Sequence, residues 1–228
     1  NDTNITNDFL FSSNEIISLS GFSSNYDILL KNHNYYSKNP NNEDDSSVND
    51  LFGILKIDSS FPMQKKMKNF TNFLKPVASL RYSPNGNSDL SNNETLLDYN
   101  SVFSLNILGS TSEVEGGGSL SLGLEFSREN NDGFSILDFK VANVLRLEDD
   151  YRLPKKTNLN KTRSDIFGNL TYNFNELSKI DYYFSYDRDL QYSNLDQLSL
   201  QFGLNNFISK FEYYTEKNDI EDKENIKN

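Results

Sequence analysis

Three consecutive glycines, Gly116, Gly117 and Gly118, stand in the segment EGGGSLSLGLEFS, directly before a run in which every second residue is apolar. A glycine-rich loop cradles phosphate when a Gly-Lys-Ser/Thr sequence and a helix follow it. Here a predicted strand follows and the lysine is missing, so we do not expect a nucleotide-binding loop. The chain also has no Gly-x-Ser-x-Gly nucleophile elbow.

The remaining residue types suited to catalysis or metal binding are sparse. His33 is the only histidine, and beside a predicted strand end we expect it to be exposed or hydrogen-bonded. Acidic clusters at 43–45 and 148–150 offer oxygen ligands for Ca²⁺ or Mg²⁺, but they lack EF-hand spacing, so we expect solvated loops. The absence of cysteine excludes thiolate metal sites and disulfides. The sequence predicts no enzyme, no cofactor and no metal.

Composition favours a β protein with half-polar strands. Of the 228 residues only 36% are hydrophobic, yet 13% are aromatic, a combination that suits strands better than helices. The formal net charge is −11 with acids and bases interleaved, so nucleic acid is not expected as a partner. The chain begins with Asn and ends in a charged run; we expect both ends to be truncations of a longer protein.

Strict alternation of apolar and polar residues is the strongest structural signal, and no stretch approaches the ~20 apolar residues of a membrane helix. The clear runs have seven to eleven residues between their first and last apolar side chains, close to the ~9–11 residues of a tilted membrane-crossing strand. The clear runs fall at 120–126, 137–147, 166–174, 180–186 and 198–204. Less regular runs fall at 14–20, 25–37, 49–60, 72–82 and 207–216.

The connections between these runs alternate in length. Short connections fall at 128–133, 175–178 and 205–206, a medium one at 61–71, and long ones at 38–48, 83–114, 149–163 and 188–195. Short turns at one side and long loops at the other are typical of outer-membrane barrels. Residues 83–114 contain SVFSLNIL, which could be a further strand, but we interpret them as one long loop.

We therefore predict an all-β fold: an antiparallel transmembrane β-barrel, present in part, with about ten strands of a larger barrel. The apolar side chains would face lipid and the polar ones the lumen. Aromatic residues for the interfacial girdles would be Tyr151, Tyr172, Tyr182 and Tyr213. The candidate lumen-lining residues are Glu125, Asp138, Lys140, Arg146, Asp181, Asp187 and Gln201.

An ordered set of segments also resembles a known family. The set comprises LLKNHNYYSKN, LFGILKIDSSFPM, LKPVASLRYSPNGNSDLS, DYNSVFSLNILG, EGGGSLSLGLEFS and SDIFGNLTYNFNELSKIDYYFSYDRDLQYSNLDQLSLQF. Together they closely resemble the barrel domain of the LPS-assembly protein LptD family (also called OstA or Imp), in its alphaproteobacterial form. The resemblance covers nearly the whole chain, so residues 1–228 would be an internal part of that domain.

The resemblance implies a role in the bacterial outer membrane. In this family a periplasmic jelly roll precedes about twenty-six strands, and lipopolysaccharide (LPS) passes through the barrel into the outer leaflet. The implied partners are LPS, an LptE-type lipoprotein plug, an LptA-type periplasmic bridge and the barrel-assembly machinery. Many relatives carry an Asp-Arg pair after FSLN, whereas this chain has STSEVEGG. A charge pair in this loop would have to form differently here, through Glu113 or Glu115.

Two other functions are compatible with the alternation pattern. A nutrient-uptake barrel or porin has the same physics with a different solute, and would carry a plug domain in place of the jelly roll. A soluble antiparallel β-sandwich, acting as a binding or adhesin domain, would have one solvated face per sheet and would dissolve without detergent.

Overall fold

A single antiparallel sheet dominates the computed structural model, which describes residues 2–37, 46–86, 89–109, 113–204 and 207–217. Within these ranges twelve strands and one short helix are present. The strands are β1 (Asp2–Ser12), β2 (Ile16–Ile17), β3 (Ser23–Ser37), β4 (Ser46–Ser60), β5 (Met63–Lys66), β6 (Phe70–Ser83), β7 (Gly117–Asn130), β8 (Ser135–Arg146), β9 (Arg163–Asn175), β10 (Ser178–Tyr186), β11 (Ser193–Leu204) and β12 (Phe207–Glu216). The helix is α1 (Tyr99–Val102).

Ten of the strands form an up-and-down meander. Their order in the sheet is β1-β3-β4-β6-β7-β8-β9-β10-β11-β12, while β2 pairs only with β3 and β5 only with β6. The sheet is open in the described residues, with β1 and β12 at its two edges. The all-β prediction with about ten strands is confirmed, since a meander of antiparallel neighbours is how such a barrel wall is built.

The prediction was wrong at the first strand. Residues 14–20 contain only the two-residue strand β2 and a turn, in which the Gly21 amide donates to the Ser18 carbonyl and Gly21 adopts a φ of 88°. The true first strand is β1, whose composition of Asn, Thr and Asp hides its alternation. It forms because β3 offers eleven consecutive partners, from Asp27 to Ser37.

Connections of different length lie at the two ends of the sheet. The turns 131–134 and 176–177 are at one end, called here the short-turn end. The connections 84–116, 147–162 and 187–192 are at the other, the long-connection end. The first of these contains α1 and no strand in its described part. The predicted long loop 38–48 and short turn 205–206 fall mainly or wholly outside the described residues.

The strand register defines two faces of the sheet, because directly opposed residues point to the same side. On the apolar face Leu124 is opposite Val141, and Leu200 is opposite Phe211. On the polar face Glu125 is opposite Lys140. The register confirms the alternation of the five clear runs. Tyr172, Tyr182 and Tyr213 lie on the apolar face. Tyr182 lies at the middle of β10 and not near a strand end, and the interfacial girdle itself stays a prediction.

The apolar face is not covered by any described element. Large hydrophobic side chains such as Leu80, Phe202 and Phe211 remain more than half exposed on it. A soluble sandwich would bury this face under a second sheet, so the structure argues against that alternative. Within the described residues, no helix has the length and apolarity needed to span a membrane.

The buried core lies instead on the polar face, at the long-connection end. The described residues of 84–116, together with residues 147–162, pack there against the sheet and are called the cap. In the larger of two clusters, side chains of both cap segments pack on three side chains of the sheet, Ala142, Val144 and Phe167. The cap contributes Leu90, Leu97, Tyr99, Val102, Ile107, Leu108, Leu153 and Leu159. A smaller cluster places Val114 on Leu29, Phe52 and Ile54. The cap thus covers about half of the polar face, and the short-turn half stays uncovered.

Candidate functional site

The strand register brings the predicted lumen-lining residues to one side of the sheet. Six of the seven lie on the polar face of β7, β8, β10 and β11, where Asp138 is opposite Ser127, Arg146 opposite Ser119 and Gln201 opposite Lys179. The seventh, Asp187, directly follows β10 at the long-connection end. The structure thus places these side chains on a common face of the sheet.

Glu125 and Lys140 are both contacted by the cap. The Tyr99 hydroxyl donates a hydrogen bond to Glu125 Oε1 at 2.8 Å, and Lys75 Nζ pairs with Glu125 Oε2 at 3.1 Å. Lys140 Nζ lies 5.5 Å from the centre of the Tyr99 ring. Burial, with the hydrogen bond to Glu125 second, raises the pKa of the Tyr99 hydroxyl above its ordinary value. Tyr99 therefore stays a protonated donor.

Small residues of β7 make room for α1. Asp98 caps this single turn, accepting from the Ser101 amide, and Ser121 Oγ donates to the Val102 carbonyl at 2.9 Å. Gly123 lies under the Phe103 ring, where an added Cβ would come within 2.6 Å of Phe103 Cζ. The small residues Ser and Gly of the SLSLG segment thus allow the cap to pack directly against β7.

A buried ion pair fixes the end of the first cap segment. Arg81 Nη1 lies 3.0 Å from Glu115 Oε1, with 3% and 0% of the two side chains exposed. Arg81 Nε also donates to the Leu105 carbonyl at 2.8 Å, and Nη2 to the Glu115 carbonyl at 3.1 Å. Of the two predicted glutamates, Glu115 makes the pair. Its partner on β6 was not identified from the sequence, since nothing local links residues 34 positions apart.

The glycine run lets backbone segments approach each other closely. An added Cβ on Gly86 would lie 2.2 Å from the Gly116 amide nitrogen, and Gly117 has a φ of 86°. Arg146 Nη2 donates to the Gly116 carbonyl at 2.7 Å and would be 2.8 Å from a Cβ on Gly117. The glycines therefore join the cap to β7, which agrees with the prediction that they are not a phosphate loop.

The second cap segment is held by a buried carboxylate that sequence reasoning missed. Asp165 is fully buried; it accepts from Asn158 at 2.6 Å, Asn194 at 2.7 Å and Ser185 at 3.1 Å. Asn158 also donates to Asp187 at 3.2 Å, so this candidate serves the cap as well. Asp165 could have been found from its position in the sequence. It directly precedes the apolar Ile166, so the alternation of β9 places it on the polar face.

The uncovered half of the polar face is held only by neighbours within the sheet and its turns. Asp181 accepts from Thr171 and pairs with Lys179, both at 2.8 Å, while Gln201 donates to the Leu177 carbonyl at 3.1 Å. Asp138 accepts from Ser135. At the border with the cap lies a cavity of about 390 Å³ lined by Tyr99, Glu125 and polar residues of β3, β4 and β6. The described residues leave this half of the polar face open to solvent.

Within the part of the chain that the structure describes, the other chemically suggestive residues are not brought together in a catalytic arrangement. His33 lies opposite Asp50 on β4, and its Nε2 is buried without a hydrogen-bond partner among the described residues. Asp149 accepts from the Thr162 amide at 2.8 Å, which, with the Lys161 contact second, lowers the pKa of its carboxyl. In the described ranges no group of three or more His, Cys, Asp or Glu could hold a metal ion; the acids at 43–45 lie outside them.

An antiparallel meander with a bare apolar face and a charged polar face is the architecture of a transmembrane β-barrel wall, because a closed sheet satisfies its backbone in lipid. The long connections at one end and tight turns at the other are those of outer-membrane proteins.

The family comparison agrees with this class. The family model of LPS transport system D, LptD, matches residues 3–228, so the chain belongs to the LptD family. It is a component of LPS transport in the outer membrane, and no observation favours an uptake barrel or a soluble binding domain. The alphaproteobacterial form stays a prediction. No curated protein matches the chain.

Proposed function

We propose that residues 1–228 form an internal part of a larger barrel, and that their polar face is one side of a hydrophilic lumen along which the sugars of LPS move. The common face of the six strand candidates carries this proposal, because Glu125, Asp138, Lys140, Arg146, Asp181 and Gln201 all point away from the bare apolar face. Arg146 is buried under the cap and bonded to it. The role of the candidates outside the cap is hydration and weak, repeated polar contact, since a tight site would arrest transport. We assign no catalytic step.

The charge of the chain suits this role. With a net charge of −11, the wall does not trap an anionic lipid strongly. The family implies LPS and its transport machinery as partners. As individual partners we propose an LptE-type lipoprotein in the lumen, an LptA-type bridge at the periplasmic end and the barrel-assembly machinery during insertion.

The cap occupies the lumen side of the wall at the long-connection end, which we place at the cell surface. Where the cap rests on the sheet, direct contacts such as Ser121 to Val102 leave no passage for a sugar chain. We propose that the cap closes this part of the lumen and leaves the wall when LPS passes. The uncovered half below it is then the waiting surface for the sugar.

A reversible disulfide tests this function in cells that depend on the full-length protein. The Ser121 hydroxyl contacts the Val102 carbonyl, so a disulfide between Val102→Cys and Ser121→Cys would tie the cap to β7. Residues 1–228 contain no native cysteine. We expect LPS at the cell surface to fall several-fold when the pair is oxidised, and to recover on reduction.

The matched control joins two strands without touching the cap. Leu198→Cys and Tyr213→Cys are directly opposite on the apolar face and should leave surface LPS unchanged in both redox states. Full delivery of LPS with the cap quantitatively oxidised would overturn the proposal that LPS passes this part of the lumen.

A further inference from the structure

A groove interrupts the apolar face between β7, β8 and β9, near the long-connection end. Its volume is about 290 Å³. Its walls are formed by the apolar side chains of Leu122, Leu124, Val141 and Ile166. Two polar side chains, Asn143 and Arg163, lie at the end of the groove that is nearer the long connections. An arginine is out of place on a face that contacts lipid, where it costs about 2–4 kcal/mol at mid-depth and much less near the interface.

A β-bulge puts this arginine there. The register of β8 with β9 shifts after Asn143, so that Ile166 is opposite Asn143 and Arg163 is opposite Leu145. The intervening Ser164 and Asp165 are both buried, and Ser164 Oγ accepts the Val144 amide at 2.9 Å in place of a backbone carbonyl. Without the extra residue, strict alternation would point Arg163 to the polar face. Bulges commonly redirect side chains at functional sites.

The described part of the chain satisfies neither polar group of the groove. Among the described residues, the Arg163 guanidinium has no ion pair or hydrogen bond, and the Asn143 amide has no side-chain partner. Every other arginine pointing from β6, β7 or β8, namely Arg81, Arg128 and Arg146, has a hydrogen-bond acceptor. Arg163 is therefore a free cation, with an amide donor below it, at the head of an apolar groove.

We propose that the groove binds the lipid part of a phosphorylated glycolipid in the outer leaflet. An acyl chain lies along Leu122, Leu124, Val141 and Ile166, and a phosphate meets Arg163, whose planar guanidinium matches phosphate oxygens in two parallel hydrogen bonds. Asn143 donates to the same headgroup. The choice of glycolipid over glycerophospholipid rests on the proposed function, which places the long-connection end at the cell surface. The site is on the outside of the wall, separate from the lumen.

Photo-crosslinking in intact outer membranes tests this site in the full-length protein. A benzophenone amino acid at Leu122 reports on the groove, and the same probe at Leu200, outward-facing on β11, is the control. After irradiation, adducts are separated by mass into phosphorylated glycolipid and glycerophospholipid. We expect several-fold more glycolipid adduct at Leu122 than at Leu200, a several-fold loss with Arg163→Gln, and retention of most of it with Arg163→Lys.

The outcomes separate the groove from the transport function. Equal adducts at both positions, or adducts that do not respond to Arg163→Gln, would overturn the site. Adducts at Leu122 that depend on Arg163 but contain glycerophospholipid would overturn its occupant and the assigned orientation. Surface LPS measured in the same cells should be unchanged by Arg163→Gln. A negative result of the disulfide experiment would therefore count against the proposed function, and a negative result of the crosslinking experiment against the groove as a binding site.

Discussion

The two halves of the polar face follow the same alternation but are used differently. Under the cap, Arg81, Arg146 and Asp165 are almost fully buried and bonded to the connections. Toward the short-turn end, residues such as Gln201 bond only to the sheet and its turns and keep contact with solvent. Where a connection folds over it, the polar stripe of these strands is an anchoring surface. Where no described connection covers it, we propose that the same stripe is a transport surface.

The largest effect is expected at the buried ion pair. Glu115→Ala leaves the Arg81 charge buried and unpaired, which destabilises by about 3–5 kcal/mol, so the cap should open roughly 10²–10⁴-fold more often. Protease cleavage of residues 84–116, measured on intact cells, reports this opening. Glu148→Ala, at an exposed glutamate of the other cap segment, is the control and should cleave as the parent does.

If Glu115→Ala does not accelerate cleavage, the ion pair does not hold the cap. The double replacement Arg81→Met with Glu115→Leu should restore much of the protection, because a buried ion pair exchanged for packed apolar side chains is often neutral. Loss of protection in both variants to the same extent would instead mean that the cap depends on the charges themselves.

A smaller effect is expected where α1 rests on β7. Gly123→Ala places a methyl group against the Phe103 ring, and overpacking of this kind destabilises by about 1–3 kcal/mol. Gly53→Ala is the matched control, because its Cβ would meet Leu30 Cδ2 at an ordinary 3.7 Å. Cleavage should rise with the first change and not with the second; equal rates would show that Phe103 moves aside freely.

The alternation in the sequence was sufficient to predict the all-β fold and the two faces of the five clear runs, but not β1, whose polar composition hides it. When every second residue is a large apolar one, as in the run ending at Phe126, a β-strand is the regular structure that collects these side chains on one face. The pairs that hold the cap were not predictable, because Arg81 with Glu115 and Asn158 with Asp165 are set by tertiary contacts. The bulge at Ser164 was hidden too, since one extra residue changes the face of Arg163 without changing the composition.

A modest effect is expected at the border of the two halves. Tyr99→Phe removes the hydrogen bond to Glu125 but keeps the ring in place, and we expect a loss of about 1 kcal/mol of cap stability. The same cleavage assay would show roughly a fivefold change. Tyr151→Phe, at a tyrosine with 82% of its surface exposed, should show none, and similar rates for both variants would contradict the contact.

The smallest effect on stability is expected in the uncovered half. Gln201→Ala removes a single bond to the Leu177 carbonyl at an exposed position, so the free energy of unfolding should change by less than about 0.5 kcal/mol. Thermal unfolding of the purified full-length protein in detergent measures this. A change as large as that of Glu115→Ala would remove the distinction between anchoring and transport surfaces.

A cysteine scan of β11 in intact outer membranes shows whether the polar side of this wall faces water and the apolar side faces lipid. Single cysteines at Gln197, Ser199 and Gln201 should react with a small water-soluble maleimide, whereas those at Leu198, Leu200 and Phe202 should be protected by lipid. The account predicts strict alternation of reactivity with a period of two. Uniform labelling of all six positions would contradict it, because both faces of β11 would then be in water.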